Sequence, residues 1–470
     1  MLTPVGYLAL FSLPLVVMGL FWILPARRAV IASFGWGWFF LPWKAIAVHG
    51  MSEYSKLSAT PLSVLLAAII FDIDRVLALR PKIWDIPMLV LVCCPMISSL
   101  HNDLGAYDGA NATLNQFYMW GAAYLIGRIY FTDLEGLGEL AFGFILIGLA
   151  YVPFCLYEVR MSPQLHTKIY GFTQVQFAQM KRLGGFRPVV FMQHGIALGV
   201  WMISATLTAW WLWICGRFGK LKRWRGFRLP GGGILALGLV ATVVLCRALE
   251  AAALMAIGMA VLFCIKKFLP LGRLALLGLV MAPPGYIYLR TNSLWTGKVL
   301  VQAAARLSAD RSRSLDFRLR NEDLLVARAK QNFVWGWGGW DRYQATNEFG
   351  RVISVPDQFW IIALGKNGIV GLTAMIMVLL LPIVLLTIRL PIRFWSHPAA
   401  APAVVLAVIV TLFMWDCLLN AMANPMFMLA CGGLTGLMPV KIKVIQIVPE
   451  PVAVPKINPA TPAIAAIGRQ

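Results

Sequence analysis

The chain has 470 residues, of which 60% are hydrophobic and only 13% charged, whereas soluble domains average about 25% charged residues. Apolar stretches of the length that a membrane span needs, about 20 residues, recur from one end to the other. This excludes a soluble domain with a single anchor. The net charge of +21 suits anionic lipid headgroups or an anionic substrate. A nucleic-acid partner is not expected, because the sequence contains no soluble basic and aromatic module.

The apolar segments predict an all-α fold, a polytopic membrane bundle of about 12–13 transmembrane helices. The first segment, 5–25, is long and lacks a basic leader, so a retained span is expected rather than a cleaved signal peptide. Further spans are predicted at 29–48, 61–79, 84–100, 113–131, 137–157, 188–214, 231–247, 249–265, 270–289, 358–388, 402–420 and 424–439.

Basic residues alternate between the loops on the two sides of these spans. They are concentrated around 27–28, 80–82, 216–228, 266–273, 389–393 and 441–443. By the positive-inside rule these loops are cytoplasmic, which leaves 49–60, 101–112, 158–187, 247–250 and 290–357 outside. Loop 290–357 is the longest of them. The Pro- and Ala-rich end, 441–470, predicts a disordered cytoplasmic tail.

Several charged residues at the outer ends of the spans are candidates for a site. Arg247 and Glu250 lie at a tight turn between two apolar helices, where a charge needs a partner or a wet cavity. They are either an interfacial ion pair or part of a functional site. His194, at the outer mouth of a span, is more typical of helix packing than of catalysis. The basic loop 158–187, with Arg187, suits phosphate or pyrophosphate groups.

The long outer loop contains the run SLDFRLRNEDLLVARAKQN, which predicts a helix with Ser314 as its N-cap. Arg318 and Glu322 are four residues apart, as in a structural ion pair on one helix face. Arg320 projects away from that face. At most one of Arg318 and Arg320 is therefore expected to bind a functional anion.

Two further features follow that helix. The sequence GWGGW (336–340) is a glycine-punctuated aromatic turn, and its indole rings make Trp337 and Trp340 candidates for glycan binding, with an interfacial aromatic belt as the alternative. Asp357 follows Pro356 at the mouth of the next span. There it is either the cap of that helix or a general base.

In this order the motifs resemble the O-antigen ligase and polymerase superfamily of bacterial envelope glycosyltransferases, in particular its Wzy_C-type (WaaL-like) domain. The matching features are LCRALEA, the Arg-rich loop helix, GWGG and FWIIALGKNGIVGL. The resemblance covers 230–440, preceded by transmembrane helices in 1–229, where GFRPVVFMQHGIALGVWM also resembles the family. One departure is that Asp357 and Gln358 stand where the ligases typically have a histidine.

The resemblance implies transfer of a glycan from undecaprenyl diphosphate to a lipid, polymer or protein acceptor, at the outer face of the bacterial inner membrane. It implies an inverting reaction without a metal or other cofactor, because arginines neutralise the leaving diphosphate. By position, Arg247 and one of Arg318 and Arg320 would hold the diphosphate, and Asp357 would be the base.

Two non-enzymatic functions are alternatives. A flippase or exporter of lipid-linked glycans would need polar residues along a path through the bilayer, whereas here they gather on one side. An assembly subunit of a polysaccharide-export complex would use the long loop to dock a partner.

Overall fold

A computed structural model describes residues 2–47, 53–182, 184–220, 231–307 and 309–439. This part of the chain is mostly helical and has almost no β-sheet, which confirms the predicted all-α class. Its regular strands, β1 (Lys181–Arg182) and β2 (Gly185–Phe186), form one short antiparallel hairpin. The predicted disordered tail, 441–470, and residues 221–230 of the basic loop lie outside the described residues.

The first part of the chain, up to the basic loop, folds into helices of very different lengths. They are α1 (Pro4–Ile23), α2 (Ala26–Phe39), α3 (Lys56–Phe71), α4 (Ile73–Leu77), α5 (Ile86–His101), α6 (Ala106–Gln116), α7 (Ala122–Tyr130), α8 (Leu134–Met161), α9 (Leu165–Tyr170), α10 (Phe177–Met180) and α11 (Gly195–Ile214). A π-helical turn, Phe117–Gly121, joins α6 to α7. The span predicted at 113–131 is therefore one helical rod with a π-turn in it.

The second part begins after the basic loop. It comprises α12 (Gly232–Leu245), α13 (Leu249–Lys267), α14 (Leu269–Thr291), α15 (Lys298–Leu307), α16 (Ala309–Lys330), α17 (Phe359–Arg389), α18 (Ala401–Cys417) and α19 (Pro425–Gly436). Helices α15 and α16 occupy the long loop. Helix α16 begins five residues before Ser314, so the prediction that Ser314 caps this helix is wrong.

Seven helices of the described chain are long and apolar enough to cross a membrane. They are α1, α8, α11, α13, α14, α17 and α5 together with the turn before it. Shorter apolar helices, α3, α12, α18 and α19, also lie where the sequence predicts spans. This composition suggests a multi-pass membrane protein. Several predicted boundaries differ. The helix at the span predicted for 29–48, α2, ends at Phe39, and the helix at the span predicted for 61–79, α3, runs from Lys56 to Phe71. The span expected from 188 begins only at Gly195, where His194 caps the helix.

The core lies around α11, α18 and α19, whose side chains are buried over almost their whole length. The outer helices instead present large apolar side chains to the exterior, among them Trp22 of α1, Leu237 of α12 and Met281 of α14. An exposed apolar surface of this extent is unfavourable in water and suits contact with lipid tails.

A buried polar cluster fixes α16 against the bundle. The Arg290 side chain of α14 is 2% exposed and contacts Glu322 of α16 at 2.8 Å. Tyr286 and Gln358 also donate hydrogen bonds to this carboxylate, at 2.8 and 3.2 Å. The predicted Arg318–Glu322 pair is therefore wrong, because Glu322 faces α14 and the start of α17. A buried ion pair whose other hydrogen-bonding groups also have partners holds the helices that carry it in one arrangement.

The GWGGW turn docks on a kink in α17. Gly368 has φ of 65°, in the left-handed region that favours glycine, and a Cβ there would overlap the Val334 carbonyl. Trp337 N and Gly338 N donate to Gly365 O and Lys366 O, at 2.8 and 3.0 Å. The glycines of this turn thus allow two backbones to approach closely.

Candidate functional site

A cavity of about 520 Å³ lies where several helix ends meet. Its wall comes from the hairpin region, the starts of α11 and α13, the loop helix α16 and the segments that flank α17 and α18. The lining residues are Gln179, Arg182, Arg187, His194, Ile196, Ala248, Leu249, Glu250, Ser314, Arg318, Asp357, Asn420 and Met422. Three predicted site residues, Arg187, Arg318 and Asp357, are thereby brought together from distant parts of the chain.

Arginines dominate the charge of this cavity. Arg318 Nη1 donates to Leu419 O at 3.3 Å, which leaves most of its guanidinium N–H groups for a ligand. Arg187 is half-buried, and its Nε has no hydrogen-bond partner among the described residues. Burial, and then the charge of Arg182, lower the pKa of Arg187. An anion between these guanidinium groups would satisfy the donors and relieve the repulsion.

Glu250 is held at the cavity by an amide rather than by an arginine. Asn420 Nδ2 donates to Glu250 Oε1 at 2.6 Å and to Asp416 Oδ1 at 2.7 Å. This bridge ties the start of α13 to the end of α18. Sequence reasoning missed Asn420, since one asparagine after an apolar helix carries no signal of its own. The sequence also allowed an interfacial Arg247–Glu250 ion pair, but in the structure the partner of Glu250 is Asn420.

His194 contributes a donor to the cavity. It is the N-cap of α11, and its Nδ1 accepts a hydrogen bond from Ile196 N at 3.1 Å. Burial, followed by the charges of Arg187, Arg182 and Arg318, lowers the pKa of His194 to about 4. The imidazole is therefore neutral at neutral pH, with its proton on Nε2 because Nδ1 is the acceptor. In this state Nε2 can donate a hydrogen bond, and the ring is a weak base because its pKa is low and Nδ1 already accepts a hydrogen bond.

Asp357 is the exposed carboxylate of the cavity. The helix that follows it is capped by Gln358, without a side-chain cap hydrogen bond, so Asp357 lies one residue outside the cap position. Its predicted alternative role as a cap is therefore wrong. The side chain has no hydrogen-bond or ion-pair partner among the described residues, which leaves its oxygens able to accept a proton.

The other predicted site residues lie outside the cavity wall. Arg320 is 77% exposed and pairs with Asp316 at 2.8 Å. The guanidinium carbon of Arg328 lies 3.5 Å from the centroid of the Trp337 ring, and Trp337 Nε1 donates a hydrogen bond to Arg328 O. Trp340 is 76% exposed and donates to Asp108. Arg247 does not line the cavity, and its guanidinium packs against Gly185 of the hairpin so closely that a Cβ there would overlap it.

In comparisons with known proteins, no family model matches the chain and no curated protein matches its sequence. The resemblance to the O-antigen ligases and polymerases therefore stays a prediction. No group of three or more His, Cys, Asp or Glu side chains that could hold a metal occurs among the described residues. We call the cavity lined by Arg182, Arg187 and Arg318 the arginine cavity, and its geometry is the basis of the function proposed below.

Proposed function

We propose that the protein is a membrane glycosyltransferase that moves a glycan from a polyprenyl diphosphate to a lipid, polymer or protein acceptor. The reaction takes place at the outer face of the bacterial inner membrane. The observation that carries the proposal is the arginine cavity itself. It combines the cationic side chains of Arg187 and Arg318 with the free carboxylate of Asp357 at the ends of apolar helices. A lipid-linked diphosphate is an anion presented at that level.

Each residue has a role that follows from its chemistry. Arg187 and Arg318 bind the diphosphate, and their charge stabilises the negative charge that grows on the leaving oxygen. The acceptor hydroxyl attacks the anomeric carbon while the bond from that carbon to the diphosphate oxygen breaks. Asp357 takes the hydroxyl proton, and the polyprenyl diphosphate leaves. Attack from the side opposite the leaving group inverts the anomeric configuration.

The placement of the cavity supports the outer face. The loop 158–187, the turn before α13 and the long loop are on the outer side by the charge alternation. The turn after α18 belongs to the same side, because one span separates it from the cytoplasmic loop 389–393. These are the segments whose ends meet at the cavity. Residues assigned to one side from sequence are thus also close together in the fold.

The test is to replace Arg318 and follow lipid-linked and transferred glycan in cells that lack the native gene. Arg318→Ala is expected to lower transfer by about 10²–10³-fold, and Arg318→Lys to recover little, since an ammonium cannot reproduce the guanidinium fork. Arg320→Ala, on the same helix but outside the cavity, is the matched control and is expected to retain transfer. Equal effects of Arg318→Ala and Arg320→Ala would contradict the assignment.

The location of the untransferred glycan separates this function from a flippase. Loss of the transferase leaves lipid-linked glycan on the outer face, where an external glycosidase or oxidant reaches it. Loss of a flippase leaves it on the cytoplasmic face, protected in intact cells. Protected glycan in the Arg318→Ala strain would therefore favour the flippase.

A further inference from the structure

A second cleft, of about 410 Å³, adjoins the arginine cavity. The two share Gln179, His194 and Met422 in their walls. A ligand that fills both would therefore pass His194. Asp357 and Arg318 line the arginine cavity but not the cleft. The charged part of the site is therefore separate from the cleft.

Glutamine side chains dominate the lining of the cleft. Gln174, Gln176, Gln179 and Gln193 line it, and the remaining wall is His194 together with apolar Val175, Ala421 and Met422. None of these residues carries a charge at neutral pH, because His194 is neutral there. We call this feature the amide cleft. It differs in kind from the neighbouring cavity, where arginines and carboxylates meet.

One of the glutamines builds the wall, and three have unused hydrogen-bonding groups. Gln174 Nε2 donates to Val190 O and Met192 O, at 3.0 and 3.2 Å, and so fixes the segment before α11. The Gln193 Nε2 atom is buried and has no partner among the described residues. Gln176 and Gln179 are exposed, with no side-chain hydrogen bond to the described chain. Each free amide offers both donors and an acceptor.

We propose that the amide cleft binds the uncharged sugar attached to the donor diphosphate, and that Gln179 and Gln193 determine its specificity. This rests on the proposed function. Neighbouring hydroxyls and acetamido groups present donors and acceptors side by side, as amides do. A uronic acid would lose hydration in the cleft, whose own wall contains no cation to pair with it. The acceptor is the poorer occupant, because its hydroxyl must reach Asp357, which lies outside the cleft.

The test measures binding to the full-length protein in lipid nanodiscs. The probes are undecaprenyl diphosphate, the same lipid bearing one N-acetylhexosamine, the same lipid bearing one hexuronic acid, and the free N-acetylhexosamine. The wild type is expected to bind the N-acetylhexosamine lipid about tenfold more tightly than undecaprenyl diphosphate, as for one or two added neutral hydrogen bonds. The uronic acid lipid is expected to show no such gain.

Gln193→Leu and Gln179→Leu are expected to abolish most of that gain. Gln193 lines only the amide cleft, so its replacement is also expected to leave the affinity for undecaprenyl diphosphate unchanged. Gln179 is exposed, so its replacement keeps the test valid if Gln193→Leu fails to fold. Gln302→Leu, an exposed glutamine of α15, is the matched control and is expected to keep the gain. An undiminished gain in both cleft variants, or an equal gain from the uronic acid, would overturn the proposal.

Two other outcomes distinguish the inference from the function on which it rests. If the free sugar binds as well as the lipid-linked one and loses affinity in Gln179→Leu, the cleft holds the acceptor instead, and the donor assignment is overturned. If undecaprenyl diphosphate does not bind, or Arg318→Ala leaves its affinity unchanged, the proposed diphosphate site fails. In that case the assignment of the amide cleft would still stand if the N-acetylhexosamine lipid binds and loses affinity in both Gln179→Leu and Gln193→Leu.

Discussion

At the scale of single residues, the most specific prediction concerns Asp357 as the general base. Asp357→Asn preserves size but cannot accept a proton, and no cap or side-chain bond to the described residues is lost with the charge. Transfer is expected to fall by about 10²–10⁴-fold, the range for loss of a general base, with normal expression and melting temperature. Asp357→His, the residue typical of the resembling ligases, is expected to retain part of the activity. Transfer at the wild-type level by the Asn variant would leave an arginine-only site.

His194 makes a prediction about pH. Its pKa is about 4 in the folded protein and about 6.5 in an unfolded chain, so the unfolded state binds more protons between these values. Stability linked to His194 is complete above pH 6.5 and falls as the pH drops towards 4, by at most about 3 kcal/mol. His194→Asn keeps an N-cap acceptor without the titration.

The measurement is the melting temperature in detergent across this pH range. The wild type is expected to lose more stability than His194→Asn as the pH falls, and the difference isolates His194 from other titrating groups. Parallel curves for the two proteins would mean that His194 is not held neutral by the fold.

At the scale of elements, the β1–β2 hairpin positions two arginines of the cavity, Arg182 on β1 and Arg187 just after β2. Arg247 supports the hairpin from behind, and its Nη1 donates to Arg182 O at 3.4 Å. Arg247 itself has φ of 53°, an uncommon value for a residue with a side chain. A residue held in this conformation at a turn indicates that the surrounding structure fixes it.

Gly185→Ala tests this support. The added methyl group would overlap the Arg247 guanidinium, which is the flexible end of its side chain and would shift away from Arg182 O. Transfer is therefore expected to fall by about tenfold, through loss of this support, although no charge changes. In an Arg247→Ala background the space is vacant, and the same change is expected to have little further effect. The double-mutant cycle in transfer rate measures this coupling. Equal losses in both backgrounds would show that the contact does not position the hairpin.

The loop helix shows what the sequence could and could not predict. Its existence followed from composition, and the separation of Arg318 from Arg320 followed from helical periodicity, which requires only local geometry. The partner of Glu322 did not follow. The i, i+4 spacing favoured Arg318, but the buried partner is Arg290, 32 residues away in the chain. Which face of a helix meets the bundle depends on tertiary packing that single-sequence patterns do not contain.

At the scale of the whole molecule, hydropathy predicted where the apolar helices lie, because burial in lipid or in a core imposes long apolar runs. It did not predict that α11, α18 and α19 form the interior while α1, α12 and α14 face outwards, since all are similarly apolar. The cavity was only partly foreseen for the same reason. Arg187, Arg318 and Asp357 were individually visible, whereas Asn420 and the glutamines became candidates only when the helix ends were seen to converge.

The orientation of the whole molecule in the membrane can be tested by labelling single cysteines from outside the cell. If the charge alternation is right, the long loop faces outwards and the end of α13 faces the cytoplasm. In a cysteine-free background, an impermeant maleimide added to intact cells is expected to label Phe349→Cys, at a loop position that is 85% exposed. Lys267→Cys, at the end of α13, is expected to react only after the membrane is permeabilised.

The reverse pattern would change the chemistry as well as the topology. The arginine cavity lies at the end of the molecule opposite the C-terminus of α13, because its wall includes the start of that helix. Labelling of Lys267→Cys from outside would therefore place the cavity in the cytoplasm, where nucleotide-activated sugars are available. A transfer from a lipid-linked glycan at the outer face would then be excluded. Labelling of Phe349→Cys alone keeps Arg318 and Asp357 on the side where that reaction requires them.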